Sequence, residues 1–440
     1  MRVERLSLAE VRRAGGADGV VKQIRHIAAT PAAVVKSTHE IMSMVLAEGD
    51  EAVLRFTRAH DTGGADPRPL IVPREELDDA IQELPLEVVA GLQVAIANVA
   101  QVAQAGVGED ASVTLPQGQR VTLREIPVGS AAVYVPGGRA PYPSTAVMGV
   151  VTARAAGVME VVVCSPPGSN GQIDPVILGA CRLLGVERVY RMGGAQAIAA
   201  LAFGTATVDR VDVIVGPGNL YVQEAKREVA SVVGIDGFAG PSDLMVLLSE
   251  DADAHLVALD LLAQAEHGAA SLVVGVSSSR ETLDSLAGLV ESLSAERPGE
   301  EPREESALCM LIEVADAREG LDLANVFAPE HLQLIGATPE ALAPLVRTAG
   351  CLFVGAAAAT AFGDYVAGSN HILPTAGAAR FASGLSPRHF HRRMAEVRLG
   401  EVGGETVRKL AAAGAPIARA EGFEWHARSM EARMGENDEL

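Results

Sequence analysis

Basic side chains are in short supply in this sequence: 36 Lys and Arg stand against 56 Asp and Glu, a formal charge of −20 over 440 residues with histidine neutral. A surface with that balance repels phosphate backbones, which excludes nucleic acid as the main partner. Cysteine is scarcer still. Cys164, Cys181, Cys309 and Cys351 are scattered, form no CxxC pair, and mostly sit in apolar segments such as VVVCSPP and GCLFVG. They read as reduced core residues, and both a disulfide scaffold and a Cys-rich zinc knot are excluded. Any metal must then be held by His, Asp, Glu or Gln. No uninterrupted apolar run approaches the roughly 20 residues that cross a bilayer, and the opening MRVERLSLAEVRRAGG has no apolar signal segment. The expectation is a soluble cytoplasmic protein with no membrane partner. Short-period repeats and low-complexity linkers are also missing.

What is present is 48% hydrophobic residues, ample for buried cores and incompatible with disorder. At about 150 residues per domain, the length suggests about three domains. From Pro31 to Val102 the pattern is helical, broken at HDTGGADPRP before a short strand around Leu70 to Val72. Near Val121 short β-branched runs (VTLREIPVG, AAVYVPGG, VVVCSPPG, VYRMGGA, DVIVGPG) begin to alternate with Ala-rich helical stretches, the signature of a parallel α/β sheet. A second alternation follows AGPSDLMVLLS, so the fold expected is α/β with two such units. The later unit is expected to share its sheet with part of the N-terminal region, because RPLIVP has no strand partner close in sequence. From Ser386 onward, RHFHRRMAEVRLG and ETVRKLAAAGA read as charged helices of an appendage, and GENDEL as a solvated tail.

Glycines cluster at the ends of the earlier strands, in VPGGRAPYPST (135–145), MGGAQA (192–197) and VGPGNLYV (215–222). At the carboxyl edge of a parallel sheet such turns bring backbone amides and helix N-termini toward a ligand. None fits GxGxxG, so each is also explained as a tight strand-to-helix turn. Four polar pairs are sharper. In LLAQAEHGAA, Gln264 and His267 are three apart on a helix, about 60° around its axis, and can face one point; a C-terminal cap explains His267 as well. In FAPEHLQL, Glu330 and His331 are adjacent after Pro329, which can open a helix at the pair, and acid beside imidazole suits proton transfer. In FGDYVAGSNHILPT, Asp364 and His371 bracket a loop of small polar residues. In EGFEWHARS, Glu421 and His426 lie about 140° apart on an ideal helix and converge only if Gly422 breaks it. His389 and His391 read as a solvated face. Together the pairs supply more N and O donors than structure needs, and such a set without thiolate fits zinc, with iron or manganese as alternatives.

With these residues in view, the chain resembles the histidinol dehydrogenase family over nearly its whole length. The resemblance is carried by YVPGGRAPYPST, GGAQAIAALAFGT, VGPGNLYVQEAKR, AGPSD, QAEHG, PEHL, GDYVAGSNHILPT and EGFEWH, in the family's order. It implies two Rossmann-like α/β units, incomplete and without GxGxxG, plus a small C-terminal helical appendage. The implied division is a larger α/β domain from 27–133 and 243–385, a smaller NAD-binding domain at 134–242, a small helical domain from 1–26 and 386–412, and a tail, 413–440, reaching the partner subunit. It implies one zinc per subunit held by Gln264, His267, Asp364 and His426, and Glu330 with His331 as the acid/base pair. Ser242, His371 and Glu421 contact the substrate, joined by Gln264, His267, His331, Asp364 and His426, while Tyr134, Gln196 and Asn219 contact NAD. The implied activity is oxidation of L-histidinol to L-histidine via L-histidinal with two NAD, in a homodimer whose active sites are shared between subunits. Residues 386–400 depart from the family's pattern and bear on substrate choice or dimer packing. The alternatives are a zinc/NAD dehydrogenase of another amino alcohol or a hydroxyalkyl sulfonate, a zinc hydrolase, and a scaffold protein without chemistry.

Overall fold

The computed structural model describes residues 1–25, 31–137, 140–238, 240–296 and 307–435. Gly138 and Arg139 of the first glycine turn, and most of the GENDEL tail, lie outside them. Two compact units are present, Met1–Gly106 with Gly129–Phe390, and Val107–Val128 with His391–Leu440.

The first unit contains two all-parallel sheets. Their strands are near-continuous apolar runs because helices cover both faces. The six-stranded sheet runs in the order Arg2–Leu6, Leu308–Glu313, Leu272–Ser277, Asp243–Leu248, His331–Ile335 and Cys351–Val354. Along Asp243–Leu248, Leu244, Val246 and Leu248 pack with Val257, Leu261 and Leu286 of the helices Ala254–Ala265 and Arg280–Ala295. Met245 and Leu247 face the other way, toward Val20, Ile24, Leu321 and Phe327 of Ala17–Ile24 and Ala317–Phe327. The five-stranded sheet runs Val189–Arg191, Glu160–Ser165, Ser130–Tyr134, Val213–Val215 and Gly234–Ile235.

Three features of this unit differ from the sequence reading. The opening Arg2–Leu6 is an edge strand of the six-stranded sheet, paired with Leu308–Glu313, rather than part of a small helical domain. The helices Ala32–Glu48 and Asp50–His60 bury Ile41, Met42, Val45, Ala52 and Val53 in the core of the five-stranded sheet, so much of 27–133 belongs with the smaller sheet. RPLIVP also joins that sheet: Ile71 bridges Tyr190, Val72 N–H donates to Val189 C=O at 2.9 Å, and Arg191 N–H to Leu70 C=O at 2.7 Å. Each partner lies more than 100 residues away, beyond the reach of a local pattern.

The helix Leu86–Ala105 is long and apolar enough to cross a membrane by length and composition alone. Here it packs on Pro143–Ala155, burying Leu92, Ala95, Val99 and Ala103, and Asn98 donates to Val366 C=O at 2.8 Å.

In the second unit Arg120–Pro127 runs antiparallel between Ala111–Thr114 and His391–Arg398. The expected helix RHFHRRMAEVRLG is thus a single turn, Pro387–Phe390, followed by a strand. Cross-strand pairs of Arg393 with Glu125 and Arg124 with Glu396 account for its charges. His391 is not a solvated face, since its side chain is buried beside Glu125. The helices Glu405–Ala420 and Glu424–Glu431 meet through Ala415, Ala418 and Ala427.

Candidate active site

A cavity of about 660 Å³ opens between the two sheets of the first unit. From the five-stranded sheet it receives the carboxyl ends of strands: Tyr134 and Pro136 after Ser130–Tyr134, and Gly216 to Asn219 after Val213–Val215. This is the edge where open parallel sheets bind ligands, at the point where strand order reverses. From the six-stranded sheet it receives the opposite, amino ends: Ser242 before Asp243–Leu248, and Glu330 with His331 at the start of His331–Ile335.

Glu330 and His331 therefore open a strand, not a helix. Ala328, in the left-handed region at φ 50°, ends the preceding helix and turns the chain into it. Strands Asp243–Leu248 and His331–Ile335 are neighbours, which brings Ser242 to Glu330 across 88 residues of sequence. Ser242 Oγ donates to Glu330 Oε2 at 2.5 Å and accepts from Gln264 Nε2 at 2.6 Å, and Asp243 N–H donates to the same carboxylate oxygen at 3.0 Å. Burial is the main cause that pushes the Glu330 carboxyl up to about 7. His331 Nδ1 lies 3.7 Å from Glu330, and its Nε2 3.5 Å from Asp364 Oδ1. That Nε2 is buried and, among the described residues, without a hydrogen-bond partner. Burial alone would lower the His331 pKa, but Glu330 and Asp364 outweigh it and raise it to about 9.

Asp364 lies in the helix Thr360–Tyr365 and lines the cavity. Burial would raise its pKa, yet contact with His331 leaves it below the usual carboxylate range. His371 is fixed by two contacts, Nδ1 to the Asp364 carbonyl at 2.8 Å and Nε2 to Thr145 Oγ1 at 3.1 Å. A carbonyl only accepts, so Nδ1 carries the proton, and burial keeps the ring neutral by lowering its pKa. His267, just past the helix Ala254–Ala265, is at the cavity wall, where desolvation lowers its pKa and Asp364 pulls it back up. Gln264, in that helix's last turn, is buried, and its amide nitrogen is engaged by Ser242.

The three residues expected at a nucleotide differ in access. Tyr134 and Asn219 line the cavity. The Tyr134 hydroxyl accepts from Gly194 N–H at 3.1 Å, and Asn219 caps the helix Leu220–Val229 by accepting from the amides of Tyr221 and Val222. Gln196 is buried off the cavity, donating at 3.2 Å to Asp61, whose carboxyl burial pushes up to about 7. Gly216, at φ 117°, admits no side chain, since a Cβ would lie 2.1 Å from the Tyr134 carbonyl oxygen.

Glu421 and His426 belong to the second unit and are exposed. Gly422, at φ 83°, does break the helix between them, and His426 packs its ring against Phe423 at 5.3 Å. Sequence reasoning passed over Asp243 and Thr145, although both stand in quoted motifs, AGPSD and YVPGGRAPYPST; their signal is position beside a strand end rather than spacing to another polar residue.

The sequence model of the histidinol dehydrogenase family matches residues 25–434. Histidinol dehydrogenase from Deinococcus radiodurans is 44% identical over 414 residues, 92% of this chain and 91% of that one. That from Parasynechococcus marenigrum is 42% identical over 396 residues, 90% of each chain. The crystal structure of histidinol dehydrogenase from Elizabethkingia anophelis superposes with a TM-score of 0.88 at 28% identity, covering 99% of this chain and 98% of that one. By sequence along its length and by fold, the chain is an enzyme, an oxidoreductase, that belongs to the histidinol dehydrogenase family.

Proposed function

We propose that this enzyme oxidises L-histidinol to L-histidine through L-histidinal, using NAD and zinc, as a cytoplasmic homodimer. The observation that carries the reading is the buried Glu330–His331 pair, tied through Ser242 to Gln264 and facing a cavity that also receives two glycine turns of the smaller sheet. An alcohol taken to a carboxylate gives up two hydrides and three protons and consumes one water, so the site needs a base for the hydroxyl and a base for the water.

His331 suits the first task in its neutral form, which predominates only above about pH 9 while the charges of Glu330 and Asp364 stand beside it uncompensated. Among the described residues its Nε2 has no hydrogen-bond partner, and a substrate hydroxyl there would pass its proton to the neutral ring as the carbinol hydride leaves to NAD. Glu330 suits the second. Its Oε2 is held by Ser242 and Asp243, which leaves Oε1 to take a proton from the water that adds to the aldehyde carbon. Once His331 has passed its first proton to solvent, the hydrate anion so formed would lose its remaining hydroxyl proton to His331 and the second hydride to a second NAD, leaving the carboxylate. A thiol route to the acid lacks its nucleophile, since no cysteine lines the cavity and burial pushes Cys164, Cys181 and Cys309 up to about 12.

The donor set fits zinc in part within one chain. Gln264 presents its amide oxygen once its nitrogen is given to Ser242, and His267 and Asp364 line the same cavity. Among the described residues no group of three His, Cys, Asp or Glu surrounds one point. In this reading His426 of the partner subunit is the fourth ligand, with Glu421 of the partner subunit beside the substrate. When bound, zinc would orient the amino and imidazole nitrogens of the substrate and engage the charge of Asp364. For NAD, Tyr134 and Asn219 and the backbone from Gly216 to Gly218 are accessible, while Gln196 acts from behind, through the Gly194 turn.

The test is NADH formed from NAD and L-histidinol. Two NADH per histidinol, with loss of activity after prolonged chelation and recovery on adding zinc, is expected. One NADH per substrate, or full turnover by protein shown metal-free by elemental analysis, would overturn the reading.

A further inference from the structure

We propose that Asp243, clamped by Arg25, is the positioning residue that holds Glu330 in working order, through two reciprocal contacts made at the amino end of the central strand. Asp243 Oδ1 accepts from Glu330 N–H at 2.7 Å, and its own N–H donates to Glu330 Oε2 at 3.0 Å. Its backbone carbonyl lies 3.4 Å from His331 Nδ1. The reciprocal pair fixes both the backbone and the carboxylate of Glu330, so the orientation of Oε1 follows from Asp243. The inference rests on the proton-transfer role proposed above for Glu330.

A buried carboxylate needs a partner, and Arg25 is that partner. Its Nη2 donates to Asp243 Oδ2 at 2.8 Å, both side chains are at most 8% exposed, and the guanidinium stacks on Phe327 at 3.9 Å. Among the described residues, Arg25 Nε and Nη1 have no hydrogen-bond partner. A buried guanidinium left with two idle donors stabilises the fold poorly, which sets this pair apart from an ordinary structural ion pair. The backbone around it is strained as well. Among the described residues only Ala328 and Ala376 are non-glycine residues at positive φ, at 50° and 53°. Ala328 leads into Glu330 by way of Pro329, and Ala376 leads into Gly377 beside Arg25. Gly377 follows at φ 82°, where a Cβ would come within 2.6 Å of Arg25 Nη1. Strain of this kind persists where the surroundings over-determine a geometry, and here one position leads into Glu330 and the other into the glycine beside Arg25.

The two oxygens of Asp243 face two donors, the Glu330 amide and the Arg25 guanidinium. Asp243→Asn keeps the volume but offers one acceptor, so one donor must face another. We expect kcat to fall at least tenfold, with KM for histidinol and for NAD within about twofold and a cooperative melt retained. Arg25→Lys, which keeps the charge and loses the fork, should show a smaller fall of the same type and serves if Asp243→Asn does not fold. The decisive arm is the Glu330→Gln background, in which either substitution should cost no more than about twofold further, because the group it positions is gone. Losses that multiply with that of Glu330→Gln, or a folded Asp243→Asn enzyme within twofold of wild-type kcat, would overturn the proposal. If Glu330→Gln alone leaves kcat intact, the role of Glu330 falls, and the positioning inference falls with it for that separate reason.

Discussion

The two sheets of the first unit meet the cavity from opposite ends of their strands, and they furnish it differently. At the carboxyl edge of the smaller sheet, polar side chains serve their own backbone: Asn219 caps a helix, and Tyr134 accepts from the Gly194 amide. At the amino edge of the larger sheet, side chains are bonded to one another, from Gln264 through Ser242 to Glu330, with His331 buried between Glu330 and Asp364. A ligand at the first edge meets amides and a shaped turn; at the second it meets groups that can exchange protons. In the proposed reaction, binding and chemistry are thus divided between the sheets.

That division is broken most severely at the amino edge. His331→Asn should lower kcat by roughly 10² to 10⁴-fold on both histidinol and histidinal, because each oxidation needs a proton acceptor. Stopped-flow or steady-state rates on the two substrates check it, and a loss confined to one of them would contradict the assignment. A smaller, fourfold deficit is expected from mixing two dead variants. When His331→Asn and Glu421→Ala proteins are unfolded together and refolded, about half the dimers are hybrids with one intact site, and activity should approach roughly one quarter of wild type. Hybrids confirmed by mass spectrometry but without activity above the separate variants would place Glu421 in its own subunit's site. The smallest effect belongs to the carboxyl edge. Asn219→Ala removes a helix cap, costing about 1 kcal/mol of stability, and should raise KM for NAD a few-fold with kcat unchanged, as read by thermal melts and NAD titrations.

The same contrast explains what could be read from the sequence. Gln264 with His267, Glu330 with His331, and the glycine turns VPGGRAPYPST and VGPGNLYV are local patterns, and each ends up at the cavity wall or, for Gln264, bonded to a residue that lines it, whereas MGGAQA lies off the cavity. The two-sheet α/β fold was equally legible, because buried parallel strands write themselves as apolar runs. What stayed hidden depends on distant pairing. Asp243 meets Arg25 across 218 residues, and Arg2–Leu6 finds its partner near residue 308. His391–Arg398 looks helical because its charges fit a solvated helix, and only the facing strand Arg120–Pro127 turns Arg393 and Glu396 into cross-strand partners.

The central claim is that Glu330 activates the water required only after the aldehyde has formed. It is tested most directly by Glu330→Gln, assayed on histidinol and on histidinal as NADH formed in a single turnover. The account predicts that histidinal oxidation is lost far more than the first oxidation of histidinol. In the wild type, histidinal oxidation should fall about tenfold per unit as pH drops below about 9 and more steeply below about 7, because His331 and then Glu330 must each be unprotonated to act as base. Equal losses on the two substrates would remove the special role of Glu330 in the second step.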